Sequence, residues 1–162
     1  MNDPVKINLK INGRDTSLVV APQTSLLRAL RDAYYWEVKC GCEEGDCGTC
    51  TILLDGVSVK SCVTLAAACN GHEVWTNKGL GYNTELTAKL QKNFVECGAV
   101  QCGFCTPGMI VAGTYYLKSD GRPDRKVIKK AMSGNLCRCT GYVKIIDAIY
   151  KTAIELKSEA SQ

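Results

Sequence analysis

The chain has 162 residues, 46% hydrophobic and 22% charged, with a formal charge of +4, a make-up that excludes a disordered chain and fits one ordinary domain or two small ones. Lys and Arg are scattered rather than massed, which argues against nucleic acid; no apolar stretch approaches the roughly 20 residues of a membrane span, and the start MNDPVKINLK lacks the pattern of a secretory signal. A cytoplasmic, reducing location is expected, and there 11 cysteines, an odd number, point to metal rather than to a disulfide framework.

The first half reads as β-rich. Ile7, Leu9 and Ile11 alternate, Asn12-Gly13 turns, and Leu18 and Val20 alternate again, which predicts a hairpin. Pro22 breaks it. A helix follows in TSLLRALRDAY, with Thr24 or Ser25 as N-cap and Leu26, Leu27 and Leu30 on one face. Residues 39–50 form a loop dense in Gly and Cys. TILLDGVSVK predicts a second hairpin turning at Asp55-Gly56, CVTLAAAC a short helix, and EVWT a last strand. Two hairpins flanking a helix make a β-grasp arrangement over residues 1–76.

NKGLGYN, residues 77–83, has the composition of a linker. Beyond it, over residues 84–162, the hydrophobic period changes from 2 to 3.6. Leu86, Leu90 and Phe94 mark one helix and Gly98 its stop; Thr106-Pro107 opens a second. Asp124 caps a third through Val127, Ile128 and Ala131, ended by Gly134. Thr140 caps a fourth, with Tyr142, Ile145, Ile146, Ile149, Ala153 and Leu156 along one face. Four helices with short connections predict an antiparallel bundle, and the fold class is α+β.

Cys42-x4-Cys47-x2-Cys50 has plant-type [2Fe–2S] spacing, and Cys62 follows after eleven residues. If Asp55-Gly56 is a two-residue turn, residue 54 pairs with 57 and 50 with 61, so the hairpin carries Cys62 back beside Cys50. Gly41, Gly45 and Gly48 let the loop bend so that backbone amides point at sulfur. A zinc site is the alternative, but zinc sites tend to use two separate Cys pairs.

QCGFCTPG contains Cys102-x2-Cys105, a spacing shared by thiol–disulfide oxidoreductases and by half of a four-cysteine metal site. Cys137-x-Cys139 decides between them. The two pairs lie in connections at the same end of an up-down bundle, so all four thiols converge there. Eight thiolates and two oxidised [2Fe–2S] cores add about −8 and +4, which the formal +4 offsets. Cys69 and Cys97 read as core filler. Cys40 stands two residues before a ligand and leaves an exchange with Cys42 open. His72, in a turn, reads as solvent-exposed and non-catalytic.

CGCEEGDCGTC, GAVQCGFCTPGMI and SGNLCRCTGYVKI together resemble the small iron–sulfur subunit of the xanthine dehydrogenase, or molybdenum hydroxylase, family, over about residues 5–150. The resemblance implies a plant-ferredoxin-like domain and a four-helix domain, each with one [2Fe–2S] cluster. It implies Cys42, Cys47, Cys50 and Cys62 as ligands of the first, and Cys102, Cys105, Cys137 and Cys139 as ligands of the second. It also places Gln101 and Cys139 against a molybdopterin cofactor on a large subunit, with FAD on a medium subunit, in a dimer of heterotrimers. Cys40 departs from the family pattern.

The function so implied is an electron relay from molybdenum through the second cluster and then the first to flavin. No catalytic residue is expected on this chain. The motifs lean towards a purine or other N-heterocycle as substrate of the complex, with aldehydes, aromatic acyl-CoA thioesters and carbon monoxide as alternatives. A stand-alone ferredoxin is the rival reading, opposed by a second site expected to lie buried; a structural zinc module is the other.

Overall fold

The structure, a computed structural model, describes residues 3–159. Strand β1 (Val5–Ile11) turns back on β2 (Arg14–Val20) with Ile11 opposite Arg14. Asn12 and Gly13 both have positive φ, 52° and 81°, the geometry that an Asn-Gly hairpin turn requires. Helix α1 (Leu26–Asp32) follows, and Ser25 rather than Thr24 is its cap, its hydroxyl accepting from the Arg28 amide. After the cysteine loop, β3 (Thr51–Leu54) and β4 (Val57–Lys60) pair in the expected register, Leu54 opposite Val57 and Thr51 opposite Lys60. Strand β5 (Glu73–Trp75) runs parallel to β1 and antiparallel to β3, giving a sheet ordered β2-β1-β5-β3-β4. Leu26, Leu27 and Leu30 of α1 close one face of it over Ile7, Leu9, Ile11, Ile52 and Val74. This is the β-grasp fold.

CVTLAAAC forms two short 3₁₀ turns, Ser61–Val63 and Ala67–Cys69, instead of a helix. Its backbone is engaged elsewhere: Thr64 O accepts from the Leu26 amide at 2.7 Å, and the Ala66 amide donates to Thr24 O at 2.9 Å. Those bonds tie it to the start of α1 and leave no helical ladder.

The stretch with a linker's composition is also different: Asn77–Asn83 is helix α2, capped by the Thr76 hydroxyl. Its glycines serve packing rather than looseness. A Cβ on Gly79 would fall 2.1 Å from Asn12 Oδ1, and one on Gly81 2.6 Å from the Gln91 side-chain amide. Helices α3 (Glu85–Glu96), α4 (Thr106–Ser119), α5 (Arg125–Ala131) and α6 (Val143–Glu159) make the four-helix domain. Its core joins Leu90 and Phe94 of α3, Met109 and Ile110 of α4, Ile128 of α5, and Ile145, Ala148 and Ile149 of α6. Asp124 caps α5 as expected. Helix α6 starts at Val143, not at Thr140, because Tyr142 takes a φ of 69° that no α-helix contains.

Helix α4 is buried on almost every side because it serves both halves of the molecule. Met109 and Ile110 face the bundle, while Val111 joins Leu53 of β3 and Leu80 of α2 in a separate buried cluster flanked by Trp75 and Tyr115. The two halves are therefore packed against each other rather than merely tethered.

Candidate metal centres

At the first site the loop before β3 carries Cys42, Cys47 and Cys50, and the turn after β4 carries Cys62. The Ser61 amide and hydroxyl both donate to Cys50 O, at 3.4 and 2.7 Å, which seats Cys62 beside Cys50 as the hairpin register requires. The Cys47 and Glu44 amides donate to the Cys42 sulfur at 3.3 and 3.4 Å, and the Cys42 amide donates to the Cys47 sulfur at 3.4 Å. The Thr49 hydroxyl lies 3.3 Å from the same Cys47 sulfur. Close quarters explain Gly41, where a Cβ would lie 2.8 Å from Cys47 Sγ.

At the second site Cys102 and Cys105 lie between α3 and α4, and Cys137 and Cys139 between α5 and α6. Cys139 Sγ lies 3.5 Å from Cys102 Sγ, and Cys105 and Cys137 hydrogen-bond through their side chains. The Thr140 hydroxyl donates to the Cys137 sulfur at 3.1 Å, and the Cys137 amide to the Tyr142 hydroxyl at 2.9 Å.

The eight sulfurs thus come as four pairs: 42 with 47, 50 with 62, 102 with 139, and 105 with 137. A zinc site needs four donors around one centre, whereas a [2Fe–2S] core takes one cysteine pair on each of two irons. Paired thiols with amide and hydroxyl donors aimed at sulfur fit the second requirement.

The electrostatics agree. The Cys47 and Glu44 amides lower the Cys42 thiol to about 6. Burial, then the hydrogen bond with Cys50, raises Cys62 to about 11; burial, then Cys137, raises Cys105 to about 12. Burial alone would raise Cys137, but the Thr140 hydroxyl and nearby amides outweigh it and bring the thiol down. In each site one thiol is drawn towards ionisation while a neighbour is pushed away from it, the effect of burial and of crowding thiols together.

The two sites adjoin. A cleft of about 290 Å³ is lined by Cys42, Cys47, Cys102, Cys105, Cys137 and Cys139 together. The Leu136 amide donates to Cys47 O at 2.8 Å, and buried Asn135 donates to Gly48 O at 2.8 Å. Gly48 has a φ of 69°, and a Cβ there would fall 2.4 Å from Gly134 O. Sequence reading did not single out Asn135 and Leu136, which have no motif of their own. Thr49 and Thr140 carried a legible signal, a hydroxyl next to a candidate ligand.

The expectation of a buried second site is not met by this chain: Cys102 and Cys139 are exposed, as is Gln101 beside them. Of the other cysteines, Cys69 is buried in the first core and Cys97 packs against the second. Cys40 is turned to Glu43, its sulfur 2.9 Å from Oε1. His72 is exposed and pairs with Asp55.

A β-grasp domain packed on a helical domain, each gathering two cysteine pairs beside the other, defines a two-cluster iron–sulfur protein. Residues 9–75 match the 2Fe-2S iron-sulfur cluster binding domain family, and residues 76–150 the [2Fe-2S] binding domain family. The nicotinate dehydrogenase small FeS subunit of Eubacterium barkeri is 43% identical over 90% of this chain and 92% of its own length. The xanthine dehydrogenase iron-sulfur-binding subunit of Escherichia coli O157:H7 is 39% identical over 91% of this chain and 94% of its own. The crystal structure of quinoline 2-oxidoreductase from Pseudomonas putida 86 contains a chain with a TM-score of 0.89 and 42% identity, matched over 98% of both chains. The chain belongs to the small [2Fe–2S] subunits of the xanthine dehydrogenase, or molybdenum hydroxylase, family. It carries two [2Fe–2S] clusters and serves electron transfer in an oxidoreductase.

Proposed function

We propose that Cys42, Cys47, Cys50 and Cys62 hold one cluster and Cys102, Cys105, Cys137 and Cys139 the other, one sulfur pair to each iron. The clusters supply one-electron chemistry; the chain's own residues set where electrons enter and leave. They enter at the Cys102–Cys139 end of the second site, from a molybdopterin centre on a large subunit, and leave from the first site towards FAD on a medium subunit. The domains are residues 1–76 and 84–162, with α2 between them.

The observation that carries this reading is the exposed rim of the second site. Cys102 and Cys139 are open to solvent, and Phe104 and Leu136 beside them are 46% and 51% exposed. Val100 adds to this apolar surface, its Cγ1 3.9 Å from where a Cβ on Gly103, beside Cys102, would lie. Such surface around redox thiols suits a face that another subunit covers, and a cofactor there would come within reach of the ligands. Permanent interfaces are more apolar than those made in brief encounters, so the rim favours a fixed partner subunit over a stand-alone ferredoxin. The named relatives act on nicotinate, xanthine and quinoline, so we extend an N-heterocycle substrate, purine or similar, to the complex that this chain serves. A dimer of heterotrimers in the cytoplasm completes the proposal.

Gln101→Ala tests it. No ligand is lost, so iron content should be unchanged, while substrate-driven reduction of both clusters slows or the large subunit docks more weakly. Wild-type reduction kinetics and wild-type assembly together would overturn the placement of Gln101 at the cofactor edge.

A further inference from the structure

Lys60 ends β4, opposite Thr51 and two residues before Cys62. It is half-buried, and its ammonium does not reach for a carboxylate. Instead Nζ donates to Gly45 O and, at 3.4 Å, to Asp46 O, both in the loop between Cys42 and Cys47. The Gly45 amide in turn donates towards the Cys62 sulfur. Lys60 Nζ also lies 4.0 Å from where a side chain on Gly134 would begin, so it sits between the first-site loop and the turn leading to the second.

The acidic residues nearby leave this charge unneutralised. Glu43 is taken by Arg28 and Cys40, and neither Glu44 nor Asp46 forms an ion pair with Lys60. None of the ion pairs among the described residues includes Lys60. A cation held by carbonyl dipoles in a partly desolvated position keeps more of its field than one paired with a carboxylate. Reduction adds one negative charge to a [2Fe–2S] core, and nearby charge together with hydrogen bonds to sulfur sets the potential at which that happens.

We propose that Lys60 is a positioning residue that raises the reduction potential of the first site selectively, through its ammonium charge, while holding the loop whose amides face Cys42 and Cys62. The proposal rests on the ligand assignment made above.

The test is a redox titration of the intact complex followed by EPR, which resolves two [2Fe–2S] signals, in Lys60→Met, Lys60→Gln and Lys60→Arg. Cys42→Ser identifies the first-site signal by its loss. Lys60→Met and Lys60→Gln should shift the first-site midpoint to lower potential and leave the second in place, with Lys60→Arg close to wild type. Gln keeps a hydrogen-bond donor without the charge, so it decides the matter should the Met variant fail to load its first site. An unmoved first-site midpoint in the Gln variant would overturn the proposal, as would equal shifts of both signals, or Arg behaving like Met. Two intact signals in Cys42→Ser would overturn the ligand assignment itself, and the role of Lys60 with it.

Discussion

Asn135 Nδ2 donates to Gly48 O at 2.8 Å and to Thr51 Oγ1 at 3.2 Å, joining residues 87 and 84 positions apart. One side-chain amide thus ties the loop of the first site to the segment that leads into Cys137. The next residue repeats the link through its backbone, Leu136 N to Cys47 O. The contact is buried, and Gly48 O also accepts from the Thr51 amide at 3.1 Å and the Thr51 hydroxyl at 2.6 Å, so it keeps partners without Asn135. Asn135→Leu should leave both sets of cysteines complete and cost about 0.5–1.5 kcal/mol in stability, the net worth of a hydrogen bond whose loss leaves no buried group orphaned. Denaturant unfolding measures the cost; an unchanged midpoint would mean that apolar packing alone fixes the two sites.

Much of this was legible beforehand. The hairpin turns at Asn12-Gly13 and Asp55-Gly56, and the register that returns Cys62 to Cys50, follow from turn chemistry and period 2, which are local rules. So does the apolar face of α6, although Ala148 and Thr152 share its burial. What failed depended on tertiary contact. The linker composition of residues 77–83 hid a helix whose glycines admit Asn12 and Gln91. CVTLAAAC lost its helix to bonds with Thr24 and Leu26. Tyr142 delayed α6 by its positive φ. At the sites, spacing marked out the candidate cysteines, but nothing in a single sequence says that Asn135 will meet Gly48.

Cys40 and Cys42, two residues apart in the loop, differ in what their sulfurs touch. Cys42 Sγ receives two backbone amides, whereas Cys40 Sγ is engaged with Glu43. The wild-type chain should contain about four irons and four acid-labile sulfides. Cys40→Ser should keep all of them, and Cys42→Ser should lose one EPR signal and about half the iron. Loss of the first-site signal from Cys40→Ser alone would shift the ligand register by two residues.

The cluster-free chain should show divergent thiols. Cys42 is lowered to about 6, so the fold favours its thiolate; that contribution to stability is in place above the ordinary value of 9.0 and fades as pH falls through 6. Cys62 and Cys105 are raised to about 11 and about 12, so their contribution is in place below 9.0 and is lost as pH climbs through those values. Alkylation of the native apoprotein, read by mass spectrometry across pH, should label Cys42 readily at neutral pH and leave Cys62 and Cys105 slow until the solution is strongly alkaline. Equal labelling of the three at neutral pH would contradict the hydrogen bonding described for the first site.

The relay from the second site through the first is tested most directly by Cys47→Ser in the assembled complex. Cys47 belongs to the first site, and its carbonyl accepts the Leu136 amide beside Cys137. Rapid-freeze EPR after substrate addition should show the second-site signal arising at its normal rate, while flavin reduction, followed by absorbance, stalls. Flavin reduction at the wild-type rate in that variant would place the first site off the path and contradict the order of transfer.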